Sequence, residues 1–254
     1  ASLGAYLLAI FVVIGYFLFI GQYLQLVLGL SPLEAGLWSL PSSAGFIVGS
    51  LAAPRLIHRF RPSVIMGTGM AVAAVGTVML LLLGPSGVEN LFLIVAASIV
   101  IDLGLAPVIT LATELIVGSA PPEQAGSATG VSETSGELGG ALGIAILGSI
   151  GTAVYRSGVA DTLPSGIPAE VADAARDTLG GAVAIAQTLP EALGAALVAA
   201  ARVAFLDALH FVAAVAAVLA LVAAIAAAAA LRTVPARSEP VPEEAGAEPV
   251  AATD

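Results

Sequence analysis

The chain has 254 residues, 59% of them hydrophobic and 10% charged, and a formal net charge of −10. Soluble domains carry roughly 25% charged residues, so a mean hydropathy of +1.04 makes a bilayer the fitting solvent for most of this surface. There is no Cys and no Lys, and the two His lie far apart at His58 and His210; this removes disulfides, thiolate metal sites, Cys nucleophiles, a Walker A loop and Schiff-base chemistry, and argues against zinc. No basic patch offers electrostatic support for nucleic acid, and most acids fall in 157–207 and the last 20 residues, as solvated segments.

A spanning helix needs ~20 apolar residues, and six such runs follow one another. Span one is expected over 4–28, ending in the stop signal Gly29-Leu30-Ser31-Pro32. Span two covers 34–57, interrupted by Pro41 and ending near Pro54, and Arg55, His58, Arg59 and Arg61 form a basic loop. Span three is 62–83. The turn Gly84-Pro85-Ser86-Gly87 leads to span four at 90–117, and Ser119-Ala120-Pro121-Pro122 breaks the chain before span five at 123–155. Residues 157–201 read as an external helical hairpin, with Thr188-Leu-Pro-Glu191 as a capping box for its second helix. Span six is 202–231, nearly all Ala, Val and Leu, and the Pro- and Glu-rich tail at 232–254 is expected to be disordered. The division is therefore 1–156 for the first five spans, 157–201 for the loop, 202–231 for the sixth span and 232–254 for the tail.

The basic loop sets the orientation: Arg55, Arg59 and Arg61 face the cytoplasm. Alternation then puts the N-terminus, the 118–124 loop and the tail inside, in agreement with Arg232 and Arg237. Trp38 and Tyr155 fall near the outer interface, where aromatic belts sit. The expectation is a multi-pass protein of the plasma membrane with a cytoplasmic C-terminus.

Acids inside a membrane are costly and usually face a cavity or a partner. Glu133 and Glu137 stand four apart in span five, on one helical face. Two carboxylates so close in a low dielectric are hard to charge together, so the pair is suited to taking up and releasing a proton or to pairing with a cation. Span four holds Asp102, well inside, and Glu114, less than two turns from its end. In span one Tyr16, Phe19 and Tyr23 share a face with Gln22 beside them, a surface able to hold a lipophilic cation by stacking; Gln22 and Gln25 could line a vestibule. The pairs Gly126/Gly130, Gly136/Gly140 and Gly139/Gly143 have the small-xxx-small spacing that lets helices approach closely. No GxSxG, HExxH or phosphate-binding glycine loop is present, so no enzymatic set, cofactor site or metal site is expected.

Two segments resemble a known family. Pro41-Ser-Ser-Ala-Gly-Phe-Ile-Val-Gly-Ser, with the Arg-containing loop after it, resembles one helix of the fourteen-helix drug/proton antiporters of the major facilitator superfamily. The block from Ala120-Pro-Pro-Glu-Gln-Ala-Gly to Ser132-Glu-Thr-Ser-Gly-Glu-Leu-Gly-Gly resembles their penultimate helix, in the quaternary-ammonium efflux branch. The resemblance covers 1–231 and implies the last six of fourteen helices, an all-α membrane fold whose N-terminal half lies outside this chain. It implies proton-coupled export of lipophilic cations by alternating access, with Glu133 and Glu137 handling substrate and protons. The second span here lacks the intramembrane acid that some relatives carry. An exporter of an endogenous metabolite and a non-transporting membrane scaffold are the alternatives.

Overall fold

The computed structural model describes residues 2–163 and 166–232. Its elements are helical throughout. Helix α1 (Ser2–Gln22) continues as a π-helical turn, Tyr23–Val27; α2 is Pro32–Arg59; α3 is Pro62–Met79, tightening to a 3-10 turn at Leu80–Leu82; α4 is Val88–Gly118. A 3-10 turn at Pro122–Gln124 opens α5 (Ala125–Thr162), and then come α6 (Ala169–Asp177), α7 (Leu179–Ala186) and α8 (Glu191–Ala230). Six of these helices, α1 to α5 and α8, are long and apolar enough to cross a membrane.

The spans alternate in direction, giving a basic end, where α2 meets α3 at Arg59–Arg61, and an opposite hairpin end, where α6 and α7 sit. Helices α1, α4, α3, α8 and α5 pack in a closed ring, and α2 flanks it along α4. Contacts between lipid-facing helices rely on close packing rather than on a hydrophobic force. At Gly139 and Gly143 an added Cβ would sit 2.6 Å from the Leu7 carbonyl oxygen and 2.5 Å from that of Phe11, so only glycine lets α5 lie on α1 there. Gly136 and Gly140 also face α1, at Tyr6 and Ile14, whereas Gly126 and Gly130 have nothing within 4 Å.

Local signals explain several ends. Gly29, at φ 74°, ends the π turn in the left-handed region. Ser31 and Glu34 form a reciprocal capping box at the start of α2. Helix α2 passes through both Pro41 and Pro54 and carries Arg55, His58 and Arg59 in its last turns, so the basic connection is shorter than the expected loop. At the hairpin end, side chains satisfy carbonyls that helix ends leave open: Tyr23 donates to Gly84 O at 2.7 Å, His210 Nε2 to Leu83 O at 3.0 Å and Arg202 to Leu26 O at 3.0 Å.

The segment between the fifth and sixth spans differs from expectation. Helix α5 runs past Tyr155 to Thr162, and α8 starts at Glu191 rather than at 202. Glu191 to Arg202 is rich in Ala and contains no Pro, and its one glycine, Gly194, is buried with Leu197 and Ala201, so the second arm of the hairpin and the last span form one rod. Thr188 does not cap it. Its hydroxyl donates to Ile185 O, closing the end of α7, and Pro190 takes the N-cap position. The hairpin is tied to α5 by Tyr155, whose hydroxyl donates to Ala175 O at 2.8 Å, and by Arg156 paired with Asp177 at 2.8 Å. The tail beyond Arg232, including Arg237, lies outside the described residues.

Candidate functional site

The 3.6-residue period of α5 puts Glu133 and Glu137 one above the other, about 6 Å apart at Cβ, and both side chains are exposed. Gly136 lies between them in sequence, and the Tyr6 hydroxyl of α1 stands over it, 3.0 Å from where a Cβ would be. Tyr6 is within electrostatic reach of both carboxylates. Together they line a groove of about 480 Å³, walled by Tyr6, Ile10 and Ile14 from α1 and by Glu133, Glu137 and Ile144 from α5. One wall of this groove is acidic and the other is aromatic and aliphatic, the combination that suits an apolar cation. Beyond Glu133 the open face of α5 stays polar, with Ser127, Thr129 and Thr134 exposed.

Asp102 is elsewhere. It is half-buried on α4, and the Tyr16 hydroxyl of α1 donates to its Oδ1 at 2.8 Å. Glu114 is exposed near the basic end of α4 and is not among the residues lining the Glu133–Glu137 groove. The expected aromatic face of α1 is therefore regrouped. Tyr16, Phe19 and Tyr23 are all buried in the bundle: Tyr16 bonds Asp102, Tyr23 bonds Gly84 O, and Phe19 packs on Phe205 with ring centroids 6.0 Å apart. None of them reaches the groove beside Glu133. The reason is the rotation of α1, which is fixed by the Gly139 and Gly143 contacts and turns that face inward. Gln22 is half-buried and Gln25 exposed, each donating to a carbonyl four residues back, Leu18 O and Gly21 O. Gln22 and Phe19 line a separate groove of about 760 Å³ at the hairpin end, with Tyr155, Phe205 and the Arg156–Asp177 pair.

Tyr6 escaped the sequence reading as a site residue. The available signal was Gly136, a missing side chain between two acids that leaves room for a neighbour, but which neighbour depends on how α1 packs.

Trp38, expected at the outer interface, is half-buried at the hairpin end of α2 and packs edge-on against Phe92, with centroids 5.8 Å apart. Both ion pairs among the described residues, Arg156–Asp177 and Arg176–Asp173, lie at the hairpin and not beside any of the candidate acids.

The sequence profile of the Major Facilitator Superfamily matches residues 2–144. Multidrug efflux pump LfrA of Mycolicibacterium smegmatis is 42% identical over 207 residues, covering 81% of this chain and 40% of that protein. Methyl viologen resistance protein SmvA of Salmonella typhimurium is 30% identical over 198 residues, 78% of this chain and 39% of that one. The tetracenomycin C resistance and export protein of Streptomyces glaucescens is 36% identical over 154 residues, 59% of this chain and 27% of that one. The chain thus spans two fifths or less of the length of these relatives. With six spans, a helical fold and a family match over more than half its length, this chain belongs to the Major Facilitator Superfamily.

Proposed function

We propose that this chain is the C-terminal part of a proton-coupled exporter of lipophilic, cationic drugs in the plasma membrane, the last six of fourteen helices. The observation that carries this reading is the groove between α1 and α5, where Glu133 and Glu137 sit exposed beside Tyr6 in a helix of membrane-spanning length. Such acids are costly unless they line a cavity or meet a partner. The names of the relatives support the same direction: one is a multidrug efflux pump, another confers resistance to methyl viologen, an organic cation. The open polar face of α5 suits a cavity shared with a second bundle, the N-terminal half, and alternating access would rock one bundle against the other. In this reading the basic end and the C-terminus are cytoplasmic and the α6–α7 hairpin is external.

Protons and substrate compete for Glu133, which Glu137 tunes through charge repulsion across one turn. Tyr6 supplies the aromatic contact in place of the buried face of α1. A carboxylate that has released its proton holds the cation, and reprotonation from outside expels it. The test is accumulation of ethidium in inverted membrane vesicles carrying the full-length transporter, driven by a proton gradient, with Glu133→Gln alongside. Accumulation that the substitution abolishes supports the reading. A folded, inserted protein that accumulates no cation overturns it and brings forward the metabolite exporter or the scaffold.

A further inference from the structure

Asp102 lies where α1, α2 and α4 meet, and its two sides differ. Toward the hairpin end its surroundings include several hydroxyls. Tyr16 donates to Oδ1, the Ser42 hydroxyl of α2 lies beside the same carboxyl, and Ser98 is one turn back on its own face of α4. Ser39, Ser42 and Ser98, with Trp38, Tyr16 and an apolar wall from α1 and α4, line a cavity of about 10 Å³, which Asp102 does not itself line but borders through Tyr16 and Ser42. By this measure a space of roughly 10–15 Å³ with two to four polar partners accommodates one water. Ser39 donates to Ala35 O, leaving its oxygen as an acceptor, and the Ser42 hydroxyl has Ser39 O and the Asp102 carboxyl as alternative acceptors. Trp38 stands at the hairpin end of this cavity, near the start of α2.

Toward the basic end the packing is closed. A Cβ on Gly49 of α2 would lie 2.8 Å from Ala106 Cβ and 3.1 Å from Leu103 O. A Cβ on Gly69 of α3 would lie 2.5 Å from Gly104 O, and Leu105, Ala106 and Val108 are fully buried.

We propose that Asp102 is a proton-binding carboxyl loaded from the hairpin end through the Ser39–Ser42–Ser98 cavity, with Tyr16 holding its deprotonated form. This deepens the transport reading, and rests on it only for the use made of the proton. In the loading step a water in the cavity, protonated from the hairpin-end solvent, gives a proton to the Ser42 hydroxyl as that hydroxyl passes its own to the carboxylate oxygen that Tyr16 does not engage. An O–H bond forms on Asp102, one breaks on the hydronium, and the Tyr16 hydroxyl keeps its own proton. Few other charges intrude. Helix α1 brings Tyr16; α3 carries no ionisable side chain; the ionisable residues of α2, Glu34, Arg55, His58 and Arg59, lie at its ends; and Glu133 and Glu137 of α5 face the Tyr6 groove instead.

The experiment reads protonation without transport. The intact chain in lipid nanodiscs is followed by infrared spectroscopy of the protonated carboxyl C=O band as the pH is lowered, and then on transfer to deuterated buffer. The expected result is a pH-dependent band that Asp102→Asn removes and the Glu133→Gln, Glu137→Gln double variant retains. Filling the cavity with Ser42→Val and Ser98→Val should slow its deuterium shift by about tenfold or more, equivalent to about 1.4 kcal/mol of added barrier. Should that pair disturb folding, as read by circular dichroism, Ser98→Ala removes a hydroxyl without adding volume and must also slow the shift. A carboxyl band unchanged by Asp102→Asn, or a deuterium shift unchanged by the serine substitutions in a folded protein, overturns the proposal. Failure of ethidium accumulation with the Asp102 band intact would instead fault the transport reading alone.

Discussion

Asp102 and the Glu133–Glu137 pair are all acids in membrane-length helices, and packing treats them in opposite ways. Asp102 is drawn into the junction of three helices and given a hydroxyl donor, whereas the two glutamates stand on an open face with a groove before them. Helix α1 serves both: Tyr6 looks to the glutamates and Tyr16, nearly three turns on, to Asp102. A single helix thus links an enclosed carboxyl to an open one, and the two should respond differently to substitution.

The largest effect is expected where the proposed function is concentrated and stability is not. Exchanging Glu133 and Glu137 together for Gln should lower vesicle ethidium accumulation by ~10²-fold or more, the scale of losing a positioned proton-transfer group. The thermal unfolding midpoint of the purified protein should barely move, because both side chains are exposed. A large loss of stability would mean that the glutamates are structural and erase the contrast.

Next comes the shared helix. Gly139→Val pushes a side chain into the Leu7 carbonyl and should cost about 1–3 kcal/mol by overpacking, seen as a lower midpoint in detergent unfolding. Because it displaces α1, it should also weaken the Tyr16–Asp102 bond. A comparable cost, confined to one hydrogen bond, is expected at Asp102 itself. Asp102→Ala leaves the buried Tyr16 hydroxyl without its acceptor and should cost about 1–3 kcal/mol, while Asp102→Asn keeps an acceptor oxygen and should recover most of that. Equal costs for the two would show that the hydrogen bond is not what holds Asp102. The smallest change is Tyr6→Phe, which removes an accessible hydroxyl from the groove. It should leave stability within about 0.5 kcal/mol and appear only as a raised half-saturation for ethidium.

Much of the scaffold was legible in the sequence. Hydropathy, with Pro and Gly at the joins, located six spans, and the spacing of Glu133 and Glu137 placed them on one face before any contact was known. The glycine spacing at 139 and 143 correctly pointed to packing. What stayed hidden depends on how each helix is rotated about its axis. Tyr16 and Tyr23 carry the same local signal as Tyr6, and only the docking of α1 on α5 and α4 decides which of them faces a groove. The pairing of Tyr16 with Asp102 joins residues 86 apart, beyond the reach of any local period. The continuity of α8 from Glu191 through the last span is hidden for another reason. Hydropathy measures span length against the bilayer, and nothing obliges a helix to stop where the hydrocarbon does. The Thr188 box failed because the same hydroxyl had a nearer task in ending α7.

The unbroken course of α8 carries a mechanical consequence. A helix of 40 residues is ~60 Å long at 1.5 Å per residue, about twice the hydrocarbon thickness. One part of this rod lies under the hairpin and the other packs beside Gly67 of α3 at the basic end. If it moves as a stiff lever, a tilt of about 5° about one end carries the other some 5 Å sideways, close to one helical pitch. A push on the hairpin would then be felt on the opposite face of the membrane through a single piece of backbone, with no chain of side-chain contacts needed to relay it.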